Sequence, residues 1–418
     1  MSALALVLLL AQGGPELAPE LRARALALAP LPPVPRDPTN AFEEDPRAAR
    51  LGQALFFDAR LSKNGTISCA SCHDPAQGWS DGRTTAVGLA PVARHTPTLL
   101  DVAQHRWYFW DGRKDSLWSQ ALAPLEDPGE HGASRLQLAH LVAGDARYRA
   151  AYERVFGALP DLSDAERFPP RGRPVPGQPE HPLARAWNGM TWRDRDAVDG
   201  VFANLGKALA AFQRTLVTGP APFDVFVDGL RTGDAEKQRA LDPAARRGLA
   251  LFLGQARCHT CHDGPFFSDL EFHDDRVPPL EPGAEPDRGR YLGLALVLDD
   301  PFNGLGRHSD DPEAGRTRLA YLARTNHSER ELKTPTLRNV ARTAPYMHQG
   351  QLATLADVVR FYSTLEGALP PHPEERLVEP LGLDAGEQAD LVAFLESLTG
   401  TPVPPERIGI PEEFQGPP

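Results

Sequence analysis

Cysteine is scarce in this 418-residue chain: there are four, at positions 69, 72, 258 and 261. That excludes a disulfide-stapled secreted scaffold, which would be cysteine-dense. Thioethers are scarcer still, so any site that needs one has Met1, Met190 or Met347 to draw on. Beyond the apolar opening, no run approaches the roughly 18 residues that span a membrane. Strand-like alternation is sparse, which argues against a sheet-built fold. Excess positive charge is also missing. A formal charge of -12 sets nucleic acid aside as a partner and leaves a small basic redox protein compatible.

The four cysteines fall into two copies of one pattern, Cys69-Ala70-Ser71-Cys72-His73 and Cys258-His259-Thr260-Cys261-His262. Cys-X-X-Cys-His is the spacing of covalent haem c attachment: two thiols for two vinyl groups, and an adjacent imidazole for the iron. A zinc site could use two cysteine pairs but gives no reason for a histidine after each. A thioredoxin-like dithiol needs one motif inside a βαβ pattern, and no such pattern is present. His73 and His262 are therefore the candidate iron ligands, and two haem c groups the expected cofactors.

Around the motifs the chain repeats itself. Ala48 to Phe56 and Ala244 to Phe252 share Ala-Ala-Arg-X-Gly-X-Ala-Leu-Phe at an offset of 196 residues. Downstream, Thr96-Pro97-Thr98-Leu99 returns as Thr334-Pro335-Thr336-Leu337 at an offset of 238, which also carries Tyr108 onto Tyr346 and Gly112 onto Gly350. The expected fold is mostly α: two tandem cytochrome c-like haem domains related by internal duplication, with long irregular loops. We place them at residues 40–235 and 236–400, followed by a Pro-rich tail at 401–418. Val198 to Leu216 has the period of a helix that could pack one module on the other. Pro160 to Trp187 and Val277 to Arg290 read as surface loops. Met1 to Gly14 has the length of a signal peptide without its usual positive residues. Because haem c is normally attached outside the bacterial cytoplasm, residues 1–25 are assigned to a leader and the protein to the periplasm.

The repeat also exposes a difference. At the 238 offset Pro124 corresponds to Tyr362. Proline cannot ligate iron and tyrosine can. Tyr362 lies in a helical stretch capped by Thr354; Met347 and His348 are rival ligands, and a core tyrosine is the plain alternative. In the first module Glu126 and Glu130 could move a proton on peroxide, with Gln120 as hydrogen-bonding companion, or could be solvated loop charges. Trp110 could carry an oxidising equivalent between haems or simply pack.

Both haem motifs, Phe109-Trp110-Asp111-Gly112-Arg113, and Thr334 to Val340 running on to Ala344-Pro345-Tyr346-Met347-His348 resemble the bacterial di-haem cytochrome c peroxidases and, within them, the MauG-like branch. The resemblance spans about residues 40 to 399. It implies a peroxidatic high-spin haem in the N-terminal domain and a low-spin relay haem in the C-terminal domain. It also implies Trp110 between them, Gln120 and Glu130 in the peroxide pocket beside Pro124, and Tyr362 as the axial ligand of the MauG branch. Leu89 stands where many of these peroxidases hold a loop histidine that blocks the iron, so an open site without reductive activation is expected. Ala256 stands where MauG has its surface tryptophan, which argues against that enzyme's own reaction. The family's inter-haem calcium is implied through Thr343 and Pro345, with His95 where the asparagine ligand belongs. The expected activity is reduction of hydrogen peroxide, with electrons from a small cytochrome c or cupredoxin. The alternatives are a MauG-like peroxide-dependent oxidase and a non-catalytic electron carrier, for which His95 or His105 could be a sixth ligand. A homodimer is compatible with the sequence.

Overall fold

A computed structural model describes residues 17–373 and 376–416. Helices dominate, and the one named sheet among these residues is a two-residue antiparallel pair, Phe272–His273 with Leu332–Lys333. Several helix starts carry a local reason. Asp45 caps Pro46–Phe57, Ser116 caps Leu117–Glu126, Asp242 caps Pro243–Leu253 and Thr354 caps Leu355–Thr364, each with a side-chain oxygen on a first-turn N–H. Pro46 and Pro243 sit at the first position, where the missing N–H costs nothing.

Two cores result. In the first, Pro46–Phe57 and Leu117–Glu126 pack on the long helix Trp192–Gln213, around Phe56, Trp118, Phe202 and Phe212. In the second, Pro243–Leu253 packs on Ala385–Glu396 around Phe223, Phe252, Phe267 and Phe394. The shared glycine of the repeat explains both helix pairs. A Cβ on Gly52 would lie 1.9 Å from the Ala208 carbonyl oxygen, and one on Gly248 would lie 2.0 Å from that of Asp390. Only a hydrogen lets the backbones approach so closely.

The structure redraws several expectations. The stretch 198–216 does not bridge the modules; as part of Trp192–Gln213 it is the spine of the first core, buried along most of its length. The helix Pro222–Thr232, assigned by sequence to the first domain, contributes Phe223, Phe226 and Val227 to the second core, so the seam lies before it rather than at 235. Pro160 to Trp187 is less open than expected: it holds the helix Pro182–Gly189 and buries Phe168 and Trp187. Of the expected leader, residues 1–16 lie outside the described residues, whereas Pro19–Ala27 is a helix packed on the second core, with Arg24 Nη1 donating to the Leu253 carbonyl at 3.0 Å. The tail crosses the other way. Val403 and Phe414 join the first core, and Gln53 Nε2 donates to the carbonyls of Glu406 and Gly409 at 2.9 and 3.0 Å.

Candidate functional site

Each Cys-X-X-Cys-His motif begins as a single 3-10 turn, Cys69–Ser71 and Cys258–Thr260, just beyond the helix that carries the shared glycine. The histidine N–H then bonds back to the first cysteine's carbonyl, at 2.9 Å in both. The rings are held alike: His73 Nδ1 meets the Trp79 carbonyl at 3.1 Å, and His262 Nδ1 the Phe267 carbonyl at 3.0 Å. A carbonyl can only accept, so Nδ1 carries the proton and Nε2 keeps its lone pair, the form that ligates a metal. Burial holds both rings' proton affinity below the usual value, against those carbonyls. Trp79 and Phe267 reach this position with positive φ, 59° and 52°. The repeated Thr-Pro-Thr-Leu braces the same loop. Thr98 Oγ1 donates to the Gly78 carbonyl and Thr336 Oγ1 to that of Phe266, both at 2.6 Å, while Ser80 and Ser268 donate to the carbonyls of Thr96 and Thr334.

Both motifs open on one cavity of about 930 Å³ that runs between the modules. Its walls include Leu99, Val102, Phe252 and Leu391, and the four thiols are free. Paired thiols, a neutral imidazole with a free nitrogen and apolar walls fit a haem at each motif.

Over the first motif the cavity is lined by Gln120 and Pro124 of the helix Leu117–Glu126 and by Glu130 just after it. Glu130 is near enough to the thiols of Cys69 and Cys72 to act on their charge. Burial, with Asp127 adding, pushes its carboxyl up to about 7, and Arg113 opposes them. Glu126 is occupied elsewhere: it pairs with Arg135 at 2.6 Å, which also holds Asp199 at 2.7 Å. The turn carrying Leu89 is pinned on the same loop, with Leu89 N–H on the Glu130 carbonyl and Ala90 N–H on that of Gly129. Sequence reasoning missed His131. Its ring is 4% exposed, lines a narrow recess with His73, Gln120, Pro124 and Glu130, and completes no hydrogen bond among the described residues. Adjacency to Glu130 was the available signal.

Over the second motif stands Tyr362, on the helix Leu355–Thr364, whose Thr354 and Asp357 form a reciprocal cap. Burial raises its phenol well above the ordinary value, and the charges of Asp275, Cys261 and Cys258 add to this. Met347 also lines the cavity, on a turn where its φ is 71°. His348 is buried beside Asp287 and Arg94 rather than at the thiols. Between the modules, Trp110 is held from both sides: its carbonyl accepts from Lys333 N–H at 2.8 Å, and its Nε1 donates to the His95 carbonyl at 3.0 Å. His105 faces the buried Lys333, Nδ1 to Nζ 3.1 Å.

Residues 46–232 match the family described as di-haem cytochrome c peroxidase. The methylamine utilization protein MauG of Methylorubrum extorquens is 33% identical over 371 residues, covering 88% of this chain and 82% of that protein. The chain belongs to the di-haem cytochrome c peroxidase family. The cytochrome-c peroxidase IdrP1 of Denitromonas iodatirespirans is 32% identical over 393 residues, 90% of this chain and 86% of the relative. Among solved structures, a MauG-like protein associated with microbial copper homeostasis superposes with a TM-score of 0.63 at 26% identity, covering 91% of this chain and 97% of that one. The diheme peroxidase BthA from Burkholderia thailandensis gives 0.61 at 25% identity, covering 87% and 89%. The chain is thus a cytochrome-c peroxidase, with two haem groups, peroxide as acceptor and a redox donor.

In this peroxidase the calcium position does not fit calcium. Thr343 and Pro345 line the cavity, but the space facing them is taken by the His95 imidazole, whose Nδ1 donates to the Arg83 carbonyl at 2.6 Å. Calcium asks for six to eight oxygens. The protonated Nδ1 cannot ligate, and Nε2 offers nitrogen where calcium takes oxygen. Burial lowers the ring's proton affinity, while the Arg83 carbonyl, the Asp81 charge and the Thr343 carbonyl raise it.

Proposed function

We propose that this peroxidase is an exported, periplasmic enzyme with two covalently attached haem c groups, built by duplication of one haem module. It reduces hydrogen peroxide to water at the N-terminal high-spin haem, with electrons relayed from a donor through the C-terminal low-spin haem. The observation that carries this reading is the asymmetry across the repeat. The first motif faces Gln120, Pro124 and a carboxyl tuned near neutrality; the second faces Tyr362. Haem would supply the redox centres, held by His73 at the first motif and by His262 at the second, with Tyr362 available as a further ligand there. Glu130 accepts the proton of the inner peroxide oxygen and returns it to the departing one, and Gln120 orients the bound molecule. Each peroxide takes two electrons and two protons and leaves as two waters. Trp110, fixed between Lys333 and His95, is the ring through which the modules exchange electrons.

The test is an electron paramagnetic resonance spectrum of the oxidised protein as isolated. One high-spin and one low-spin ferric signal supports the reading. Two low-spin signals would favour a second one, in which the buried ring of His131, on the same recess as His73, would cap the first iron until reduction. A MauG-like oxidation of a protein through position 256 has little support, because Ala256 is buried.

A further inference from the structure

We propose that the imidazole of His95 takes the place of a cation between the two haem modules, so that this peroxidase holds its modules and Trp110 in register without calcium.

The ring sits where both modules converge. From the first module come the Arg83 carbonyl, bonded to Nδ1, and the Asp81 carboxylate. One Asp81 oxygen is buried without a hydrogen-bond partner among the described residues. From the second module comes the Thr343 carbonyl. The His95 backbone extends the junction: its N–H donates to the His348 carbonyl at 2.8 Å, and its carbonyl receives Trp110 Nε1.

The spacing is fixed by glycines on either side. A Cβ on Gly78 would lie 2.8 Å from the Arg342 carbonyl oxygen, and one on Gly350 would lie 2.5 Å from Thr84 Cα. These cross-module contacts flank Arg83 and Thr343, so the carbonyls face each other across a gap that the ring fills. A cation would draw such oxygens together; the ring bonds the Arg83 carbonyl through its one N–H and occupies the space toward Thr343 with no metal. His95 is therefore a positioning residue for Trp110.

The full-length holoenzyme, stripped with EGTA, would be titrated with calcium alone by calorimetry, and its paramagnetic resonance spectrum recorded before and after. Wild type should show no binding and no spectral change. His95→Asn, which supplies an oxygen and vacates the ring's space, should bind one calcium where wild type binds none and regain the wild-type spectrum only when calcium is present. His95→Ala serves as the control that both haems are still incorporated when the ring is removed. Stoichiometric micromolar binding by wild type, or a spectrum altered by EGTA, overturns the proposal. So does a fully haem-loaded His95→Asn protein that ignores calcium.

Discussion

Set side by side, the two modules are alike below the haem and unlike above it. Below, the correspondence reaches single hydrogen bonds: imidazole to Trp79 or Phe267, threonine to Gly78 or Phe266, and helix to helix across Gly52 or Gly248. Above, the capped helices Leu117–Glu126 and Leu355–Thr364 start at equivalent positions, and then one presents Pro124 and the other Tyr362. A shared scaffold fixes where each imidazole points, and in the function proposed above a few side chains on the opposite wall set what each iron would do. That division of labour suggests its own tests.

The largest effect should come from the wall of the first module. Glu130→Gln keeps the shape and removes the base, so peroxide turnover should fall by about 10²–10⁴-fold while both haem spectra persist. Because the carboxylate form accepts the proton, wild-type kcat/KM should decline as pH falls through about 7, and the variant should lack that limb. Unchanged turnover would remove Glu130 from its role. Glu126→Gln is the counterpart, expected to cost stability through Arg135 and to leave turnover close to wild type.

Next comes the wall of the second module. Tyr362→Phe should alter the low-spin signal alone and slow delivery of electrons to peroxide, while Met347→Leu should leave the spectrum as it is. If the two results are exchanged, Met347 is the ligand.

How much of this was legible in the sequence follows the same line. The haem motifs, the repeat and the helical character are local patterns, and local patterns can be read from sequence. So could the correspondence of Pro124 with Tyr362, once the offset was known. What escaped depends on distant partners. Glu126 and Glu130 look alike until Arg135 is seen to claim one of them. His131 gains meaning from a recess built by residues as far apart as Phe56 and Gln213. The boundary at 235 failed because Pro222–Thr232 answers to Phe252 and Phe394 rather than to its neighbours in sequence.

A third prediction turns on the shared glycines. Gly52→Ala and Gly248→Ala force a methyl onto a carbonyl in the first and second module respectively, and overpacking of this kind costs about 1–3 kcal/mol. If the modules are separately cored, each variant should lower the melting of its own module, read by the bleaching of its own haem band. Equal loss of both bands in both variants would mean that the modules melt as one unit.

The smallest effect concerns the crossed ends. Arg147 Nη1 donates to the carbonyls of Phe414, Gln415 and Gly416, while Arg24 ties the N-terminal helix to the second module. Arg147 is half-buried and also pairs with the buried Asp145 at 2.9 Å, where Arg60 would remain as a partner, so Arg147→Ala should cost about 1–1.5 kcal/mol. The loss should fall on the first module, where the tail lies, although the tail emerges from the second. A small drop in the first haem band's melting with the second unmoved would show that the tail is a strap. A drop in the second band instead would mean that the tail steadies the module it leaves, and the crossing would have no mechanical consequence.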